Sequence, residues 1–278
     1  MSNIKNAAVM ALRGAGIVFL ILILYLAVHY ISSPHGSVQP MDIVFVPTEN
    51  DADCTLLMNR GKTVMIDTGE SGDYNTIAGL LEKYKINRID CLILTHPDKD
   101  HIGNALELLK NYDVSMVIEP YYDLDNDRNT ELNQWIEASG ISCMVPTRER
   151  NLVFGDMQLK VYPPEQFYYD NDNNYSLAVS VEHGEKKLFF AGDAVRKRTE
   201  ELLKLPLRDV DLYKMSYHGR EYSGTQQLLE QLNPEYVVVT AKAADQEVEA
   251  ALNGRKVYYT VGRGAAFVCD GIQIWEED

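Results

Sequence analysis

Thr95-His96-Pro97-Asp98-Lys99-Asp100-His101 places two histidines and two aspartates between segments of different periodicity. Ahead of it, Ile89-Asp90-Cys91-Leu92-Ile93-Leu94 is an apolar, mostly β-prone run that predicts a buried strand. Behind it, residues 102–109 predict the start of a helix. The cluster therefore occupies a strand-to-helix loop, which can turn several side chains toward one point. Imidazole with carboxylate suits Zn2+, Mn2+ or Fe2+, and a carboxylate-rich set tilts toward the harder ions. The plainer alternative is a polar loop whose charges face water. The crowding of H-x-D-x-D-H into so short a stretch argues instead for a ligand set.

Short apolar runs and helix-like stretches alternate along the rest of the chain. Residues 42–46, 54–58 and 62–66 predict strands, with Asn59-Arg60-Gly61 as a tight turn between the last two. Residues 73–84 predict a helix with Asp73 as its cap and Ile77, Leu80, Leu81 and Tyr84 on one face. A second helix is expected over 129–139, ended by Gly140. Strands are expected over 141–145, 158–162, 176–181, 187–191, 210–215 and 236–240, helices over 195–205, 224–232 and 245–252, and two terminal strands ending at Trp275. Strands in two groups with helices between them argue for an α/β (α+β) sandwich, sheet packed on sheet with helices outside. Asp123, Asp125 and Asp127 resemble the start of a calcium loop. Arg128 stands where its sharp turn needs glycine, and Gln134 where the bidentate acid belongs, so that reading is set aside. Cys54, Cys91, Cys143 and Cys269 show no C-x-x-C spacing and are read as buried free thiols, although an even count permits disulfides.

Residues 15–31 read AGIVFLILILYLAVHYI and hold no formal charge beyond a protonated His29, at the short end of a bilayer span. Lys5 and Arg13 precede this stretch, and the next basic residue other than histidine is Arg60. The positive-inside rule then puts the N-terminus in the cytoplasm. A cleaved signal peptide competes with this reading. The apolar stretch is long for one, and residues 31–37 fit a small-x-small cleavage site poorly. The organisation expected is a short cytoplasmic N-terminus over 1–14, a transmembrane anchor over 15–31, a linker over 32–40, and one domain over 41–278 on the extracytoplasmic side of the cell membrane. The formal net charge of -15 argues against a partner held by a broad basic surface. A bound pair of metal ions would reverse that sign locally.

Three of the expected strands end in polar residues beside a glycine or in a loop: at His96 to His101, at Gly192-Asp193 and at His218-Gly219. Gathered on one sheet edge, they supply His96, Asp98, Asp100, His101, Asp193 and His218. Two metals about 3.5–4 Å apart need roughly that many ligands. Asp67, in Asp67-Thr68-Gly69, is either an acid supporting this set or a turn residue. His183 reads first as a hairpin-turn residue, with a place in the site as the alternative.

These motifs together resemble the metallo-β-lactamase fold superfamily, and within it the branch similar to the hydrolase domain of ComEC, the competence DNA-uptake channel. The residues that carry the resemblance are Met65 to Gly69, Leu94 to Gly103, Asn174 to Leu177, Phe190 to Asp193, Leu212 to Gly219 and Thr260 to Ala265. It runs from Asp42 to about the C-terminus. The resemblance implies an αββα sandwich with a dinuclear site, holding Zn2+ or Mn2+, at one sheet edge. It implies His96 and Asp98 on a first metal, Asp100 and His101 on a second, Asp193 bridging both, and His218 completing the second. Asn174 and Ser176 stand where other branches carry a histidine ligand, and become candidate substrate contacts. The chain departs from the branch where His-His-Gly-Ser reads Tyr217-His218-Gly219-Arg220, where a Gly-rich stretch reads Glu49 to Asp53, and where a His-Pro after Thr240 is replaced by Ala241 to Asp245.

The reaction implied is hydrolysis by a hydroxide held between two dications, with Asp100 and His218 as the catalytic residues and a phosphodiester, nucleic acid included, as substrate. The expected activity is that of a membrane-anchored phosphodiesterase or nuclease. The alternative is a degenerate module that keeps the fold, binds a ligand or partner, and has lost catalysis. The changes at Tyr217, Arg220 and Ala241 motivate it.

Overall fold

In the computed structural model, which describes residues 38–277, the chain enters through an antiparallel ladder. β1 (Met41–Phe45) pairs with β2 (Thr55–Asn59), and β2 with β3 (Lys62–Ile66). Arg60 and Gly61 turn this hairpin with φ of 51° and 70°, the left-handed conformations that match a two-residue turn to the twist of its strands. Helix α1 (Tyr74–Lys83) follows, then the short β4 (Arg88–Ile89) and β5 (Cys91–Ile93), which lies parallel to β3. The metal-type cluster comes next, with α2 (Lys99–Ile102) inside it and α3 (Ala105–Asn111) behind it. β6 (Asp113–Val114) pairs with β4, and β7 (Met116–Ile118) lies parallel to β5. α4 (Asp127–Ser139) ends at Gly140, whose φ of 71° supplies the expected left-handed cap. β8 (Ser142–Met144) pairs with β7.

The second sheet begins as an antiparallel meander of β9 (Arg150–Phe154), β10 (Met157–Tyr162), β11 (Ala178–His183) and β12 (Lys186–Phe190). It continues through parallel units: α5 (Arg196–Leu202), β13 (Leu212–Lys214), α6 (Thr225–Leu232), β14 (Tyr236–Val239), α7 (Gln246–Ala251) and β15 (Lys256–Tyr259). β16 (Ala265–Cys269) and β17 (Ile274–Glu276) return to the first sheet beside β1. The strand orders are β17-β16-β1-β2-β3-β5-β7-β8 and β15-β14-β13-β12-β11-β10-β9.

The period-two rule explains how the layers assemble. Ile43 and Phe45 of β1, Leu57 of β2 and Val64 and Ile66 of β3 point between the sheets. There they meet Leu159, Val179, Val181, Leu188, Phe190 and Val238 of the second sheet. Val44, Leu56, Met65 and Leu92 point the other way, onto Ile77, Leu81, Leu108 and Leu132 of the first helical layer. Phe189, Tyr213 and Val237 face Leu202, Leu228, Leu229 and Val248 of the second. The expected four-layer sandwich is the observed one.

Four strand segments escaped the sequence reading. β4, β6 and β7 are two or three residues long, too short to show a period. β9 alternates between partly covered and exposed residues at the sheet edge and carries no continuous apolar run. The C-terminus holds three strands rather than the two expected, since β15 pairs with β14 before the chain crosses to the first sheet. Asp73 does not cap α1 with its side chain. Its carboxylate accepts the backbone N–H groups of Glu49 and Glu70, at 2.9 Å each. Cys54, Cys91 and Cys269 are buried free thiols as expected, whereas Cys143 is exposed. The stretch 1–14, the anchor expected over 15–31 and most of the linker lie outside the described residues. Among the described residues no helix is long and apolar enough to cross a membrane.

Candidate metal centre

The C-terminal ends of β3, β5, β12, β13 and β14 open on one edge of the sandwich, and each delivers a polar side chain there. β3 runs into Asp67, β5 into His96 to His101, β12 into Asp193, β13 into His218 and β14 into Thr240. β2, antiparallel to β3, starts from the same edge and brings Asp53. Parallel strands all point one way, so their ends converge where ligands of such sheets commonly bind.

The turn Asp67-Thr68-Gly69 clamps the loop that follows β5. Thr68 N–H and its hydroxyl donate to the carbonyl of His101 at 2.6 and 2.8 Å, and Gly103 N–H donates to the carbonyl of Gly69 at 2.9 Å. Asp67 takes φ of 59° and is buried, and its carboxylate is fully used. Thr95 donates its N–H to Oδ1 and its hydroxyl to Oδ2, both at 2.7 Å, and His101 Nδ1 lies 2.9 Å from Oδ2. Asp67 is thus a supporting acid rather than a plain turn residue. It holds the His101 proton at Nδ1 and leaves Nε2 directed inward. His96 Nδ1 sits 3.1 Å from Thr95 Oγ1, whose own proton goes to Asp67, so Nδ1 is again the donor. His218 Nδ1 sits 2.9 Å from Thr240 Oγ1.

His101 and His218 therefore turn Nε2 into one space, with His96 beside them. His101 Nε2 lies 3.4 Å from Asp193 Oδ2 and 3.8 Å from Asp100 Oδ2. His218 Nε2 lies 3.1 Å from Asp193 Oδ2 and 3.2 Å from Asp100 Oδ2. His96 Nε2 lies 3.4 Å from Asp98 Oδ2, and its ring centroid is 4.0 Å from that of His101. The Nε2 atoms of His96, His101 and His218 and the Oδ1 atoms of Asp53 and Asp193 are buried without a hydrogen-bond partner. Asp100, His101, Asp193 and His218 have ligand atoms all within 4.8 Å of one another. Five of the eight buried side-chain polar atoms without partners among the described residues thus gather at this one place, and nitrogens and carboxylate oxygens of this kind fit a divalent cation.

Asp53, Asp67 and His101 are an equally close group, but their chemistry is different. Lys214, enclosed at the end of β13, forms an ion pair with Asp53 and donates to the carbonyl of Gly192 at 3.2 Å. The Lys214 ammonium already occupies the position a cation would take beside Asp53. That trio reads as the scaffold behind the ligands.

Electrostatics mark the same residues. Burial opposes ionisation of Asp193, but His218 and His101 outweigh it and hold the carboxyl well below its usual range. Burial also opposes charge on His101, where Asp193, Asp67 and Asp53 raise the imidazole well above its usual value. His218 is raised in the same way by Asp193 and Asp53. For Asp53, burial is outweighed by Lys214 first and then by His101 and His218, and its pKa falls. Asp100, opposed by burial and favoured by His218 and His101, is lowered too.

The backbone is strained where it delivers His218. Tyr217 and His218 have φ of 50° and 52° in succession, conformations that side-chain-bearing residues avoid unless the surroundings impose them. Gly192, at φ of 55°, packs where an added Cβ would stand 2.9 Å from Cβ of both Ser176 and Thr95. Only glycine allows the β12 end to approach the β5 end closely enough to deliver Asp193.

All eight residues expected at the site are at this edge or directly behind it. Asn174 and Ser176 are fully buried. Asn174 Oδ1 accepts the N–H of Arg198 at 3.1 Å and Ser176 Oγ accepts the N–H of Asp193 at 3.0 Å, while Asn174 Nδ2 has no partner. His183 does not join them. It lies at the far end of β11 from Ser176, buried against Asn59 and Cys269, because its strand runs away from the edge. Asp53, Thr95, Lys214 and Thr240 were missed. A lysine inside the apolar run 210–215 was the available signal for Lys214, since a charge in a strand covered on both faces needs a buried partner. Asp67→Asn should lower divalent-metal affinity about 10–100-fold, the usual loss when the acid orienting a ligand histidine is removed. Metal titration of the purified variant reads this, and unchanged affinity would return Asp67 to a turn role.

With the geometry in hand, the chain matches the metallo-beta-lactamase superfamily over residues 47–241. It is 28% identical over 199 residues to ComE operon protein 3 of Bacillus subtilis, covering 66% of this chain and 26% of that one. It is 24% identical over 242 residues to recombination protein 2 of Haemophilus influenzae, covering 86% and 28%. The chain thus spans about a quarter of the length of these relatives. Among solved structures, the metallo-beta-lactamase fold protein YhfI from Bacillus subtilis superposes with a TM-score of 0.56 at 10% identity, covering 86% of this chain and 100% of that one. Human tRNase Z, short form, superposes with a TM-score of 0.50 at 15% identity, covering 82% and 98%.

Proposed function

The chain belongs to the metallo-beta-lactamase superfamily, in its ComEC-like branch, and from that premise we propose that it is a metal-dependent hydrolase of phosphodiesters. One observation carries the reading: the unpartnered Nε2 atoms of His101 and His218 converge on the carboxylates of Asp100 and Asp193, with His96 Nε2 beside Asp98 next to them. On this reading His96 and Asp98 would hold one cation and Asp100, His101 and His218 a second, with Asp193 available to either. Two bound dications, Zn2+ or Mn2+, supply the charge that lowers the pKa of a water toward neutrality and offsets the charge developing on phosphate oxygens.

The chain's own residues do the rest. Asp67 and Thr95 hold the protons of His101 and His96 on Nδ1, and Asp53 Oδ1, 3.4 Å from His218 Nδ1, favours the same tautomer there, so that Nε2 is the atom presented. Asp100, whose side chain is 24% exposed, is the carboxylate of the buried set that reaches the open cavity, and it orients the attacking water by accepting its hydrogen bond. Lys214 and Asp53 hold the ends of β13 and β2 against each other behind the ligands. No serine or cysteine nucleophile is needed. The proposal includes the anchor over 15–31 and an extracytoplasmic domain, both argued from the apolar stretch and from Lys5 and Arg13 before it.

The test is hydrolysis of bis-p-nitrophenyl phosphate and of single-stranded DNA by the full chain with Mn2+ or Zn2+. Turnover should be metal-dependent, and Asp100→Ala should lower it more than about 100-fold, beyond the loss expected for outer partners of metal ligands. Absence of metal uptake by the purified protein would leave the binding module as the better account. Metal uptake without turnover of either compound would refute the phosphodiester assignment and keep the metal site.

A further inference from the structure

Beside Asp100 the site opens into a cavity of about 500 Å3 lined by Asp51, Glu70, Lys99, Arg220 and Lys242 as well as Asp100 itself. Three cations and three carboxylates line it, a balanced set in a chain whose formal net charge is -15. Lys99 is paired with Glu70 at 2.7 Å and Arg220 with Asp51 at 2.8 Å. Lys242 is exposed and has no ion-pair partner among the described residues. The two rim segments that carry Arg220 and Lys242 are tied together: Asp245 N–H donates to the carbonyl of Gly219 at 3.0 Å. An added Cβ on Gly219 would stand 3.1 Å from Cβ of Ala244. Arg220 is steadied by the Tyr217 ring, 5.7 Å from its guanidinium carbon.

Arg220 and Lys242 lie in two of the stretches where this chain departs from the pattern it resembles, Tyr217 to Arg220 and Ala241 to Asp245. The departures are therefore not simple losses, since they place positive charge on one wall of the mouth. We infer that this cavity is a subsite for a second phosphate of the substrate, adjacent to the phosphodiester that is cleaved, with Lys242 as its principal contact and Arg220 as its second. The inference rests on the phosphodiesterase reading and narrows it to substrates carrying at least two phosphates. The second phosphate comes either from a terminal phosphomonoester or from the next internal diester of a chain. Lys242 offers a free ammonium, and Arg220 keeps guanidinium N–H groups beyond the one that Asp51 takes.

The full chain, metal-loaded, is assayed on bis-p-nitrophenyl phosphate, on dTpdT, on pdTpdT and on dTpdTpdT. The wild type should show a lower KM for both two-phosphate substrates than for dTpdT. Lys242→Ala should raise KM for those two by roughly tenfold more than for bis-p-nitrophenyl phosphate, as for loss of one exposed charge-assisted hydrogen bond. Lys242→Arg should restore most of it, and Arg220→Ala should move KM in the same direction. A gain confined to pdTpdT assigns the subsite to a terminal phosphate, and one confined to dTpdTpdT assigns it to an internal one. Equal KM across the series, or a variant that weakens every substrate alike, overturns the proposal. A wild type that turns over none of the four marks failure of the phosphodiesterase reading instead. The subsite is then judged by binding: thymidine 3′,5′-bisphosphate should bind more tightly than thymidine 5′-monophosphate in the wild type and lose that advantage in Lys242→Ala. Equal binding of the two by the wild type overturns it.

Discussion

Replacing Arg198 by methionine should cost about 3–5 kcal/mol of stability, the range seen when one member of a buried ion pair is removed. Arg198 is among the largest fully enclosed side chains, and each part of its guanidinium is committed. Nε donates to the carbonyl of Ser176 at 2.9 Å, Nη2 to the carbonyl of Tyr162 at 2.7 Å and Nη1 to Glu201 Oε2 at 2.8 Å. Methionine fills much of the volume but leaves two carbonyls unsatisfied and a carboxylate buried without its cation. Tyr169 hydroxyl and Glu165 N–H would still donate to Glu201, at 2.6 and 3.1 Å, which limits the loss without cancelling it. Lysine should rescue little, because a point charge cannot reach three acceptors arranged for a planar fork. The double variant Arg198→Met, Glu201→Leu should recover part of the deficit, since an apolar replacement of both partners removes the stranded charge. Urea unfolding of the four proteins measures this. A single variant as stable as the wild type would show that the pair contributes nothing net.

The consequence reaches the site through three contacts. Arg198 holds the Ser176 carbonyl, Ser176 Oγ accepts the N–H of Asp193, and Asn174 accepts the N–H of Arg198. Asn174 and Ser176, singled out because they replace a ligand histidine, are therefore joined to the delivery of Asp193. Nothing in the sequence around Arg198 marks it as buried. Lys197 and Glu200 beside it are charged as well, and a helix surface would read the same way. Its burial arises from a partner 22 residues away, at Ser176, and another 36 away, at Tyr162.

That contrast separates what was legible from what was not. The candidate ligands could be picked out because each stands within a few residues of a strand end, and strands covered on both faces announce themselves as apolar runs. His96 to His101 needed no partner to be noticed. Asp53 follows Glu49, Asn50 and Asp51 in a polar stretch with no period, and its role exists only because β2 and β13 end side by side in different sheets. Lys214 could have been flagged as a charge in an apolar strand, but its partner could not. The strands missed were those with two or three residues or an exposed edge face, where the pattern that identifies a strand is absent. His183 carried the right side chain for a site and sat at the wrong end of its strand, which residue type alone does not reveal.

Divalent metal should be the largest stabiliser of this fold, and its effect should grow with pH. At a free concentration of about 1,000 times Kd, one bound ion adds about 4.1 kcal/mol. Without metal, His101 and His218 have pKa values raised well above 6.5, so their contribution to stability is full below about that pH and is lost as pH rises through the raised values. Asp100 and Asp193 are lowered from 3.8, so theirs is present above that value and lost as pH falls through the lowered ones. The metal-free site therefore supports the fold best in the acidic range between these limits and weakens toward alkaline pH. Metal binding runs the other way, because Nε2 must lose its proton before it can ligate, and competition from protons fades as pH rises. Thermal unfolding with chelator and with excess Mn2+ or Zn2+ should show a gap between the two curves that widens from pH 6 to pH 8. Asp193→Ala, which removes the carboxylate nearest both His101 Nε2 and His218 Nε2, should abolish most of that gap while leaving a cooperative transition. A chelator-insensitive midpoint at both pH values would mean that the converging imidazoles of His96, His101 and His218 serve protons and carboxylates alone.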